Sequence, residues 1–172
     1  GDAHYATASI PSALEAIDRC IRIAREARLP RIEVANLFMV GALRALNHDL
    51  RPGLKGCREG ARLAAQVGNR RAEMLSRLNA GMILPPLGQC DDAAREIARA
   101  SELARALGSA LFGGLVASFE ARNLCFTGDL EEARRISLDA LQIAEQQSAS
   151  GFFSGVALGV LVRATPPGEE QR

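Results

Sequence analysis

The sequence predicts an all-α protein, an α-α superhelix of about eight antiparallel helices stacked in pairs that recur every 40 residues. Three observations carry this. The segments beginning at Ile23, Leu63, Leu103 and Ile143 align at a spacing of 40, and place Ala24, Ala64, Ala104 and Ala144 in one register. Two more columns of small residues run in phase with them: Ala13, Gly53, Ala93 and Ala133, then Cys20, Gly60, Ala100 and Ala140. Finally, apolar residues make up 48% of the chain but aromatic ones only 4%, so the core must come from Ala, Leu, Ile and Val, of which Ala and Leu are strong helix formers.

Helices are expected near 12–28, 31–46, 51–67, 70–86, 91–107, 110–126, 130–147 and 151–164. Pro11 and Pro30 stand at helix starts, where a missing N–H costs little. Gly41, Gly81 and Ala121 share a register on the alternate helices, and Leu161 follows them. A further column, His48, Gly88, Gly128 and Gly168, marks the turn that ends each of those helices. Glycine there supplies the left-handed conformation of a helix C-terminus, and histidine is among the residues enriched at positive φ. In Gly128-Asp129-Leu130-Glu131-Glu132-Ala133, Asp129 is expected to cap the next helix and Glu132 to complete a capping box. Pro85-Pro86 should end the fourth helix early, near Ile83 or Leu84, or kink it. The short loops make consecutive helices antiparallel neighbours. Residues 1–11 read as an irregular N-terminal segment, 12–164 as the repeat array and 165–172 as a C-terminal tail.

Charge and composition narrow the function. Lys and Arg total 21 and Asp and Glu 20, a net charge of +1, without the basic excess of a nucleic-acid binder. The least charged stretch, Gly151 to Val162, is too short to cross a bilayer. Cys20, Cys57, Cys90 and Cys125 are spread singly, with no CxxC pair, and a cytoplasmic location fits them. His4 and His48 are far apart, Asp91-Asp92 and Glu131-Glu132 sit at helix starts where negative charge suits the dipole, and no glycine spacing forms a phosphate loop. No catalytic residue, cofactor or metal site is therefore expected. Arg58, Arg62, Arg95, Arg99, Arg134 and Arg135, mixed with Glu59, Glu96, Glu102 and Glu131, read as a solvated outer face.

The Gly128-Asp129-Leu130-Glu131-Glu132-Ala133 turn, the small residue seven before it (Ala121, and Gly81 before Gly88) and the Ala133…Ala140 spacing resemble the tetratricopeptide repeat (TPR). The usual repeat has about 34 residues. The longer repeat here, with Leu103-Ala104-Arg105-Ala106-Leu107-Gly108-Ser109 closing a helix, is similar to arrays attached to bacterial signal-transduction NTPases, such as maltose-regulator-like activators, and to multidomain class III adenylate cyclases. HEAT-like repeats are the structural alternative. The resemblance implies a protein-interaction, scaffold or sensor module, cut from a larger bacterial signalling or regulatory protein, whose first helices (31–46, 70–86, 110–126, 151–164) line a concave partner-binding groove. Helical phase places Phe38, Leu78, Met82, Ser118 and Arg122 on that groove, which should take an apolar helix more readily than an acidic tail because it lacks a basic cluster. The alternative function is self-association. The last helix is apolar around most of its circumference, and Phe153, Val160 and Leu161 are expected to pair with a second copy in a homodimer.

Overall fold

The structure, a computed structural model, describes residues 9–147 and 151–165; the side chains of residues 152 and 153 fall outside that description. The helices are α1 (Ile10–Glu26), α2 (Pro30–Leu46), α3 (Leu50–Gln66), α4 (Arg70–Ile83), α5 (Cys90–Leu107), α6 (Ala110–Thr127), α7 (Leu130–Gln146) and α8 (Phe152–Ala164), with no strand among the described residues. This is the expected all-α superhelix of paired helices. Most boundaries lie within two residues of expectation. α1 starts at Ile10, inside the segment read as irregular, because Pro11 occupies its first turn. The rest of the N-terminal segment, residues 1–8, and of the tail, 166–172, lies outside the described residues.

Two prolines set the end of α4. The helix stops at Ile83, and Pro85–Leu87 forms a single 3-10 turn closed by Gly88 in the left-handed region. Positive φ recurs at Arg28, His48, Gly68, Gly88, Gly108 and Gly128, 20 positions apart, so both turns of each repeat share one geometry. At most of them the next residue's N–H reaches back to close the last turn, as Leu29 to the Ala24 carbonyl at 2.8 Å and Asn69 to that of Ala64 at 2.9 Å. The expected capping box at Asp129 is half formed. Its carboxylate accepts from the Glu132 N–H at 3.4 Å, but the Glu132 side chain turns outward to Arg135.

The small-residue columns lie where helices cross. Ala24, Ala64, Ala104 and Ala144 are all buried, as are Ala13, Ala93 and Ala133. The tightest crossing joins α2 to α3: a Cβ on Gly53 would come within 2.8 Å of the Gly41 carbonyl oxygen. The core runs along the array as overlapping clusters, from Ile17, Leu37 and Leu43 through Cys57, Ile83 and Ala93 to Met74, Ile97 and Phe119, then Ala121, Ala133 and Val160. Each helix contacts mainly its near neighbours, which is how a repeat array distributes stability.

Candidate functional site

The helices form two layers. In one, α2 packs on α4, α4 on α6 and α6 on α8; the odd-numbered helices make no comparable contacts with one another. The layer whose members touch follows the shorter arc, so α2, α4, α6 and α8 make the inner face. Side chains tie this layer across repeats. Asn79 Nδ2 donates to the Phe38 carbonyl at 3.1 Å, and Arg122 Nη1 to the Met82 carbonyl at 2.9 Å.

Three of the residues placed on the groove from helical phase reach its surface. Phe38 is half-buried and lines a shallow cavity of about 280 Å³ with Ala35, Asn69, Arg71, Ala72 and Leu75. Met82 is half-buried between two core clusters, and Arg122 is half-buried between α6 and α8. The other two do not. Leu78 is only 2% exposed and packs in the cluster of Met74, Ile97 and Phe119. Ser118 is fully buried and donates its hydroxyl to the Leu115 carbonyl at 2.8 Å. Both point between helices, because a buried helix in a two-layer array gives most of its circumference to neighbours on either side.

The surface also carries residues that helical phase did not single out. Arg71 stands over the Phe112 ring at 5.6 Å. Arg122 and Arg163 both stand over Phe126, at 5.1 and 5.4 Å. A slot of about 320 Å³ opens beside them between α6 and α8, with Gly155 and Gly159 on one wall. Burial disfavours the charge on Arg122, as does the nearby Arg163, so its pKa is lowered from the ordinary guanidinium value. The inner layer therefore has a local cationic pair, Arg122 and Arg163, which the sequence reading does not bring together. The pairing was hidden in the sequence because Arg122 and Arg163 lie on separate helices.

The self-association residues are also redistributed. Val160 is 4% exposed, packed on Ala121, Cys125 and Ala133, so it belongs to the core and not to an open end. Leu161 is half-buried, and the Phe153 side chain lies outside the described residues. Among the described side chains of α8, the large apolar ones that are exposed are Leu158 and Val162, at 52% and 75%.

On the outer layer, four exposed arginines pair with carboxylates of their own helix: Arg62 with Glu59, Arg99 with Glu102, Arg95 with Asp92, and Arg135 with Glu132 and Asp139. A more sheltered set joins α4 to α5, where Arg77 bridges Glu73 and Glu96 at 2.9 Å each. Among the described residues no cluster of His, Cys, Asp or Glu could hold a metal ion, and no helix is long and apolar enough to cross a membrane.

This architecture is that of a TPR-like helical solenoid. A Podosopora anserina structure of kinesin light chain nearly identical TPR-like repeats matches it with a TM-score of 0.66 at 12% identity, over 95% of this chain and 81% of that one. At that identity the likeness is one of fold. No protein-family model matches the sequence, and no curated protein matches it significantly.

Proposed function

We propose that this chain is a protein-interaction module that holds a peptide segment of a partner along the inner layer. The observation that carries the reading is the run of accessible apolar and arginine side chains there, from Phe38 and Leu75 through Arg71 and Phe112 to Arg122, Phe126 and Arg163. Aromatic and arginine side chains of this kind anchor protein interfaces. The sequence resemblance supports a setting within a larger bacterial signalling or regulatory protein in the cytoplasm, next to an NTPase or adenylate cyclase domain. Selection from a displayed random-peptide library tests the binding reading. Enriched peptides should bind the parent chain and an outer-face Arg135→Glu variant alike, and lose binding to a Phe38→Glu/Leu75→Glu variant. Equal binding to that double variant would overturn it.

A second reading, self-association through α8, draws on the exposure of Leu158 and Val162 on one side of that helix. Light scattering decides it. A dimer that becomes monomeric when both are changed to Ser supports it, and a monomer at high concentration refutes it.

A further inference from the structure

We propose that the outer-layer cavity beside α3 is a binding site for a soluble small molecule carrying a diphosphate or triphosphate group, held by Arg51, Lys55 and Arg58. The site lies on the layer opposite the inner face and does not depend on the peptide-binding reading.

The three cations stand at i, i+4 and i+7, so they share one face of α3 on successive turns. They line a cavity of about 540 Å³ with Leu54, Leu87 and Gln89. Arg51 and Lys55 are exposed, and no described carboxylate pairs with either. Arg58 reaches only Asp92, at 3.8 Å, and Asp92 is already engaged by Arg95 of its own helix. The carboxylate in the lining, Glu59, is spent on Arg62. That hydrogen bond holds the Glu59 carboxyl below the usual range, with the charges of Arg25 and Lys55 adding to the effect.

The repeat itself does not demand these cations. At the corresponding positions α1 has Pro11, Glu15 and Asp18, α5 has Asp91, Arg95 and Ala98, and α7 has Glu131, Arg135 and Leu138. The cavity is local as well. Pro85 and Pro86 lie in the single 3-10 turn among the described residues, and the chain leaving that turn sets Leu87 and Gln89 against α3.

Size and charge select the ligand. Small-molecule sites enclose about 300–1,000 Å³. Guanidinium pairs with phosphate oxygens two at a time, and lysine binds phosphate as a point charge. Three cations on successive turns match linked phosphates better than a single one. An acidic polypeptide or an anionic membrane extending past the cavity would run onto Asp91 and Asp92 at the start of α5, where like charge repels it. Leu87 and Gln89 are left to touch whatever the phosphates are attached to.

Calorimetric titration with sodium pyrophosphate at low ionic strength, beside orthophosphate, tests the site. Pyrophosphate should bind one to one, at least about tenfold more tightly than orthophosphate, and weaken as salt is raised. An Arg51→Gln/Lys55→Gln chain should lose at least about tenfold in affinity while melting at the parent temperature, since both residues are exposed. Arg135→Gln, on α7, should bind as the parent does. ADP and ATP distinguish the sources of the group: tighter binding than pyrophosphate supports a nucleotide, and equal or weaker binding supports inorganic diphosphate. Equal affinity for pyrophosphate and orthophosphate, or unchanged affinity in the double variant, would overturn the site. Capture of the chain by phosphatidylserine vesicles, or competition by a poly-glutamate peptide as strong as that of pyrophosphate, would overturn the assignment to a soluble phosphorylated ligand.

Discussion

Arg122 and Met82 stand 40 positions apart, one repeat, and the guanidinium of the first donates to the main-chain carbonyl of the second at 2.9 Å. The reason lies in the chain just past Met82. Its carbonyl would ordinarily accept from the N–H three or four residues on, and those positions are Pro85 and Pro86, which have none. The arginine of the next repeat supplies the donor that the proline pair removes. Asn79 makes a related bridge to the Phe38 carbonyl, so α2, α4 and α6 are joined by side-chain donors as well as by apolar contact.

Replacing Arg122 by Met should leave the Met82 carbonyl without a strong donor and cost about 1–3 kcal/mol in chemical denaturation. Pro86→Ala restores an N–H at the four-residue spacing. In that background the same arginine replacement should cost measurably less. A double-mutant cycle with no coupling would show that the bond adds nothing to stability.

Gly41 tolerates no side chain. A Cβ there would lie 2.3 Å from Cys57 Sγ and 3.0 Å from both the Cys57 nitrogen and the Gly53 oxygen. Two of those three atoms are backbone, so a rotamer change relieves only part of the clash. Gly41→Ala should destabilise the chain by about 3 kcal/mol, and adding Cys57→Ala should recover only a fraction. Equal denaturation midpoints for Gly41→Ala and the parent would mean that α2 and α3 do not cross this closely.

His48 occupies the left-handed region at φ 65°, in a column otherwise filled mainly by glycine, and it is exposed. His48→Gly should therefore stabilise the chain by about 0.5–1 kcal/mol, since the relief of backbone strain outweighs the added freedom of the unfolded chain. Gly108→Ala should move stability the other way, because its φ of 63° suits glycine. Thermal melts of the two variants should shift in opposite directions.

Cys57 is fully buried, and that burial, with Glu96 contributing, pushes its thiol from 9.0 up to about 12. Folding holds the protonated form, so this residue's contribution is complete below about pH 9 and declines as the unfolded chain begins to ionise. Stability should fall by about 1.4 kcal/mol per pH unit from this group until the folded thiol itself ionises near pH 12. A Cys57→Ala chain should lack that part of the alkaline slope, as read from denaturation midpoints at successive pH values. Identical slopes would show that the thiol is not sheltered.

Periodicity determined the fold. The register of Ala24, Ala64, Ala104 and Ala144 announced buried crossings, and Gly88, Gly128 and His48 announced left-handed turns, because small side chains and positive φ are local demands that a residue type meets or fails. Even the early end of α4 was written in Pro85-Pro86. The 20-residue half-period was present in Gly68 and Gly108 as well, though Arg28 at a matching turn disguised it. The inner surface was a different matter. Helical phase assigns a residue to a side of its own helix, but it does not say which neighbour covers that side. Helical phase thus puts Leu78, Ser118 and Val160 at the surface, whereas they lie in the core, and it does not bring Arg163 beside Arg122 over Phe126. Only the tertiary structure decided those partners, because burial and charge proximity depend on how separate helices pack, and packing angle and depth are set by all the side chains of an interface together.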